Sequence, residues 1–91
     1  MMPLFAVICR DHPGKLQTRL DTRESHLAFL DAQPGVKLAG PLIENGQPCG
    51  SLLVVEGDGL TEVKEWTAQD PYNAAGLFAS VEVIEWKKVI G

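Results

Sequence analysis

Two runs near the middle of the chain, Val36-Lys37-Leu38-Ala39-Gly40-Pro41-Leu42 and Ser51-Leu52-Leu53-Val54-Val55-Glu56, decide the fold. Both are of strand length, and the interval Ile43 to Gly50, with Gly46, Pro48 and Gly50, reads as a loop between them. Two strands thus follow one another without a helix between. Upstream, Pro34-Gly35 closes a segment from Lys15 to Gln33 in which Leu16, Leu20, Leu27 and Leu30 recur at spacings of four, seven and three, one stripe of a helix. Downstream, Asp58-Gly59 makes a turn and an N-cap. Leu60, Val63 and Trp66 then share a face of a second, shorter helix that closes at Asp70-Pro71. Pro disfavours α conformation in the residue before it, so Asp70 should sit at or just past the helix end, with Pro71 to Gly76 a tight turn. Outermost lie two more strand-like segments, Pro3 to Cys9, followed by the turn residues Arg10 to Gly14, and Phe78 to Val89. The order βαββαβ predicts an α+β, ferredoxin-like domain over residues 1–91: a four-stranded antiparallel sheet with two helices on one face.

A sheet covered on one side only should alternate apolar and polar residues. Here Leu4, Ala6 and Ile8 oppose Phe5, Val7 and Cys9, and Leu52 and Val54 oppose Leu53 and Val55, so both faces are apolar. Two helices can cover only one of them. A second copy of the chain is the expected cover of the other, giving a homodimer.

Composition narrows the partners. A 91-residue chain with 45% apolar and 22% charged residues is ordinary for one globular domain. No apolar run approaches the length of a membrane span, and no secretory signal is visible, so neither membrane nor export is expected. The net charge is −4 and the eight Lys and Arg are scattered, which argues against nucleic acid. Cys9 and Cys49 are too few for a disulfide scaffold and wrongly spaced for zinc; two free thiols in a reducing, cytoplasmic compartment are expected.

Candidate chemistry centres on the first helix. Arg19, Arg23 and His26 share a stripe bordering the leucine stripe, which puts His26 at the edge of the core, half-buried, where an acid or base near neutral pH could be held by one partner. On that reading Leu27→Ala opens a core cavity costing about 2 to 5 kcal/mol, and His26→Ala costs only about 1 to 2 kcal/mol. A His on a helix flank that merely bonds locally is the plainer reading, as is an Asx-type turn for Asp70. His12 lies in an exposed loop. Cys49 has no evident group to lower its pKa, and no P-loop, G-x-G-x-x-G, H-E-x-x-H or G-x-S-x-G pattern occurs.

The chain resembles the YCII-related proteins. The resemblance is carried by Arg23-Glu24-Ser25-His26-Leu27, Ala39-Gly40-Pro41, Gly50-Ser51-Leu52, Asp70-Pro71-Tyr72 with Ala75-Gly76, Val81-Glu82-Val83 and Trp86-Lys87-Lys88-Val89, in order from end to end. It implies a ferredoxin-like fold, homodimers of the dimeric α/β-barrel type, and an active site whose His and Asp match His26 and Asp70. The matching Asp-Pro-Tyr turn brings in Tyr72, and Ser25 beside His26 is a further candidate. Glu85-Trp86 stands where related chains often carry a Pro. A dehydrochlorinase acting on a chlorinated aromatic is among the relatives.

A His oriented by a carboxylate, with no Ser or Cys nucleophile, suits proton abstraction, isomerisation or elimination. The expected function is therefore a cofactor-independent lyase or isomerase on a small ring compound, with His26 and Asp70 catalytic and Arg23, Tyr72 and Ser25 contacting the small-molecule ligand. No metal and no cofactor are expected. The alternative is a non-catalytic dimer that holds a metabolite or a partner chain. A monooxygenase of the wider barrel group, with or without heme, is a third reading that the lack of evident ligands beyond two His disfavours.

Overall fold

In the computed structural model, which describes residues 2–91, the elements are β1 (Leu4–Asp11), α1 (Leu16–Asp31), β2 (Val36–Glu44), β3 (Gln47–Glu56), α2 (Leu60–Thr67), α3 (Pro71–Ala74) and β4 (Phe78–Trp86). The four strands form one antiparallel sheet in the order β2-β3-β1-β4. This is the ferredoxin-like α+β architecture expected, with one addition: the turn after Asp70 is a short helix.

The core fills the space between the helices and one face of the sheet. Phe5, Val7 and Cys9 of β1 point into it beside their register partners Val55, Leu53 and Ser51, with Val83 across from Val7 on β4. Val63, Leu30, Tyr72, Leu77 and Phe78 close it from the helical side. Each fully buried Val, Leu or Phe contributes roughly 1.5 to 3 kcal/mol through removal of apolar surface from water.

The segment Ile43 to Gly50 is not a loop. β2 and β3 continue through it and meet in a two-residue hairpin, Asn45-Gly46, with φ of +52° and +78°. Asn-Gly is the pair that tolerates this left-handed geometry, which matches the twist of the flanking strands. The prolines that argued for a loop sit where a sheet accepts them: Pro41 lies on β2, an edge strand, and Pro48 lies beside the register shift between Leu42 and Ile43. β4 stops at Trp86 and does not run to Val89, because its partner β1 begins at Leu4, paired with Trp86, and leaves nothing further to bond.

α1 is rotated relative to the leucine stripe. Its buried residues are Arg19, His26 and Leu30, flanked by half-buried Thr22 and Phe29, whereas Leu20 and Leu27 are exposed. The reason is that Arg19 and His26 both find partners inside, so their burial carries no unsatisfied charge. The leucines one residue further on are turned about 100° away.

The sheet's other face carries Leu4, Ala6 and Ile8, with Leu52 and Val54 on β3, Ile84 and Trp86 on β4, and Leu38 on β2. Leu38, Leu52, Ile84 and Trp86 are exposed, so the second face is apolar, as expected, and uncovered in the single chain. No helix among the described residues is long and apolar enough to cross a membrane.

Candidate active site

The site is assembled by a short piece of capping chemistry. Asp70 is the N-cap of α3: its Oδ1 accepts the Tyr72 backbone N–H at 2.9 Å, and Pro71 occupies the first helical position, where a missing N–H costs nothing. The far end closes with Gly76 at φ +73°, its N–H donating to the Asn73 carbonyl while Leu77 N–H donates to the Tyr72 carbonyl. This is a Schellman ending, which requires a left-handed residue that Gly adopts freely. Leu77 is fully buried, so α3 is pinned at both ends and Asp70 and Tyr72 are held on a rigid unit.

That unit faces α1. The Asp70 carboxylate, 1% exposed, lies 2.9 and 3.0 Å from His26 Nδ1 through its two oxygens. A carboxylate accepts, so Nδ1 is the donor of the pair, and in the neutral ring that tautomer leaves the lone pair on Nε2. One carboxylate thus both caps α3 and pairs with His26. His26 is buried rather than half-buried, and its ring stacks on Tyr72 with centroids 4.0 Å apart.

A second buried cluster adjoins the first. Arg19 donates from Nε to Asp11 Oδ2 at 2.7 Å, and from Nη2 to Asp11 Oδ1 at 2.9 Å and Ser51 Oγ at 3.0 Å; its guanidinium lies 4.6 Å from the Tyr72 ring centroid. Burial works against the charge of Arg19, but the bidentate pair with Asp11 offsets it and holds the guanidinium pKa above its ordinary range. Burial likewise pushes the Tyr72 phenol up, against the pull of Arg19, so Tyr72 is neutral and its ring is a platform shared by His26 and Arg19. Arg19 was visible on the helix stripe but not as a site residue, since nothing near it in sequence announces Ser51 as a partner.

Both clusters open into a cleft of about 190 Å³ between α1 and the β2–β3 hairpin, lined by Arg19, Leu20, Arg23, His26, Leu27, Leu30, Ala39, Gly40, Pro41, Pro48 and Ser51. No side-chain nitrogen or oxygen among the described residues is both fully buried and unpaired, His26 Nε2 has no partner among them, and His26 lines the cleft, so Nε2 opens to it. Of the expected ligand contacts, Arg23 lines the cleft. Ser25 does not: it is exposed, one residue and about 100° round the helix from His26. Tyr72 is also not on the lining. It stands behind His26 as a support, being almost wholly buried. Cys9 is sealed in the core, where burial pushes its thiol up to about 12, far from thiolate chemistry at neutral pH. Among the described residues no three His, Cys, Asp or Glu side chains are grouped to hold a metal ion.

The model of the YCII-related domain matches residues 3–87. The chain belongs to the YCII-related family. Among YCII-related relatives, a protein of Haemophilus influenzae is 37% identical, the match covering 93% of this chain and 97% of the relative, and protein YciI of Escherichia coli is 31% identical over 94% and 98%. Among solved structures, the chain is similar to 5-chloro-2-hydroxyhydroquinone dehydrochlorinase of Burkholderia phenoliruptrix in complex with 2,5-dihydroxybenzoquinone: TM-score 0.88, 35% identity, covering 92% of this chain and 93% of that one. It shares its fold with SnoaB, a cofactor-independent oxygenase of Streptomyces nogalater, at TM-score 0.62 and 16% identity over 100% and 97% of the two chains. Of the residues that mark this YCII-related chain in sequence, Arg23, His26, Leu27, Ala39, Gly40, Pro41 and Ser51 line the cleft.

Proposed function

We propose that this YCII-related chain, residues 1–91 acting as one domain, is an enzyme for a small ring compound, moving protons without a cofactor in an elimination of the dehydrochlorinase kind. The single observation that carries the reading is His26: one ring nitrogen is held by a buried carboxylate and the other opens into a small, partly apolar cleft. In this reading Asp70 fixes the tautomer, Tyr72 fixes the ring plane, and Nε2 gives and takes the proton. Similarity to a dehydrochlorinase across nearly the whole chain supports that class of substrate.

The chemistry balances without a redox partner. A chlorinated hydroxyhydroquinone loses a hydroxyl proton as its chlorine-bearing carbon gains one, giving a ketone with a tetrahedral C–H–Cl centre. Removal of a second hydroxyl proton then expels chloride and leaves a hydroxyquinone, a net loss of HCl. One group that alternates between acid and base suffices, which is the role assigned to His26. Incubation of the protein with 5-chloro-2-hydroxyhydroquinone should release chloride with first-order dependence on enzyme. Binding of the compound with no chloride release and no hydrogen exchange at ring carbon would instead favour a module that only holds its ligand.

The uncovered sheet face supports a homodimer of the α/β-barrel type. Leu38, Leu52, Ile84 and Trp86 form a patch on a face that a monomer rarely leaves to water once it reaches several hundred Å². Light scattering at tens of micromolar, where an obligate dimer persists, should give twice the chain mass, and Ile84→Glu should halve it. A monomeric wild type would end this part of the proposal.

A further inference from the structure

We infer that the ring received by the cleft carries an uncharged aliphatic substituent, laid in a trough that continues the cleft along the seam between α1 and β2; this deepens the proton-transfer reading above and rests on the same cleft. The seam follows from the topology. α1 turns directly into β2 through Gln33 to Val36, where the Val36 N–H donates to the Gln33 carbonyl at 3.2 Å. β2 is an edge strand, so no strand lies beyond it to close the seam from outside. Along β2, Val36, Ala39 and Pro41 pair with Val55, Leu53 and Ser51, which are all buried on the helix-covered face. Period-two alternation puts the three β2 side chains on that same face, so the floor of the cleft runs on towards the turn without a break.

The helical wall runs on with it. Leu27 and Leu30 line the cleft, and they also line a wider, shallower hollow of about 650 Å³ whose other walls are Ala28, Asp31, Gln33, Pro34 and Val36. The two spaces meet over these two leucines. The arrangement accounts for an oddity of α1: with Arg19 and His26 turned inward, Leu20 and Leu27 are left 52% and 43% exposed, beside the reacting nitrogen and not on the sheet face assigned to the partner copy. At about 190 Å³ the cleft proper holds one ring, which leaves Leu27 and the hollow beyond it uncovered. A substituent on that ring covers them. From Leu27 to Asp31 the helix advances about 6 Å, room for a chain of a few carbons.

Polarity is graded along the trough in the sense this requires. The groups able to do chemistry, Arg19, Arg23 and His26, stand at the cleft end. At the other end the Gln33 side-chain carbonyl is occupied by the Gly35 N–H at 3.2 Å, and the one charged lining residue is Asp31, exposed at the rim. An aliphatic tail therefore gains apolar contact there, and a tail ending in a carboxylate meets like charge. Because the trough begins in the cleft of His26, its occupant is continuous with whatever the cleft holds, which selects a substrate substituent over a separate partner.

The test is a chain-length series. Calorimetric titration of the full chain at pH 7 compares 2,5-dihydroxybenzoquinone with its 3-methyl and 3-pentyl derivatives and with a five-carbon chain that ends in a carboxylate. A fully buried methylene is worth about fourfold in affinity and one covered on a single side about twofold, so the pentyl compound should bind roughly tenfold tighter than the methyl. The acid-ended chain should show no such gain. Ala28→Lys lies at an exposed position outside the cleft lining, with Glu24 and Asp31 one turn away on either side, and should fold normally and bind the unsubstituted ring as the wild type does. It should reverse the order of the two five-carbon compounds, the acid-ended chain becoming the tighter, in a manner that salt weakens. Equal binding of methyl and pentyl compounds, a pentyl gain and ligand order unchanged in Ala28→Lys, or no binding of any member would overturn the inference. So would a wild-type assembly larger than a dimer that Ala28→Lys breaks, which would make the trough a contact between copies. A pentyl gain with no chloride release from the chlorinated substrate would leave the inference standing and remove the catalytic reading, and chloride release without a pentyl gain would do the reverse.

Discussion

A His26→Asn variant should stay folded, remain dimeric if the wild type is, and lose turnover of the chlorinated substrate by a factor of roughly 10² to 10⁴, the usual contribution of a positioned acid or base. The substitution is chosen for what it keeps. The Asn amide nitrogen stands near the position of Nδ1 and can donate to the Asp70 carboxylate, which lies 2.9 Å from Nδ1 in the wild type, so that buried acid is not stranded. What it removes is Nε2, with no side-chain atom left to reach the cleft. The stacking on Tyr72, at 4.0 Å between ring centroids, is lost as well, and a destabilisation of about 1 to 2 kcal/mol is expected from that and the smaller volume. Chloride release measured beside a thermal melt separates these effects. Full activity in a folded variant would show that the proton moves elsewhere and that His26 only supports the fold.

The second large effect is on stability and reverses what the leucine stripe suggested. His26→Ala should cost about 3 to 5 kcal/mol, whereas Leu27→Ala, its neighbour, should cost less than about 1 kcal/mol. His26 is buried against Tyr72 and is the partner of a carboxylate that is itself 1% exposed. Its deletion leaves Asp70 with the Tyr72 N–H as its remaining protein donor and opens a hole beside the ring. Leu27 is 43% exposed at the cleft wall, so its truncation leaves no enclosed cavity. Urea unfolding of both variants, read at constant m, would give the two numbers. A Leu27→Ala penalty equal to that of His26→Ala would mean that α1 is seated with its leucines inward, contrary to the geometry described.

Much of the architecture was legible before any coordinates. Strand-length apolar runs, Pro34-Gly35 and Asp58-Gly59 mark the element order, and local chemistry alone accounts for them. The same is true of the second apolar sheet face, since period-two alternation is a property of the chain and needs no partner. Asn45-Gly46 is a local hairpin signal; Pro41 and Pro48 on either side argue for a loop in sequence, but an edge strand and a register shift admit them. The α3 helix was also local information: Asp before Pro, with Gly six residues after Asp, is a cap, a first turn and a stop.

The sequence by itself therefore determined the βαββαβ order, the doubly apolar sheet and, through its resemblance to YCII-related chains, the pairing of His26 with Asp70. Tertiary structure alone decided which face of α1 is inside, that Arg19 lines the cleft, and that Ser25 does not. The reason is physical. An apolar residue is buried by any neighbour, so its pattern can be read locally, but a charged or polar residue is buried only when a specific partner satisfies it. For His26 that partner is 44 residues away and for Arg19 one partner is 32 away, so until the chain is folded nothing distinguishes a stripe of Arg and His bound for the core from one left in water.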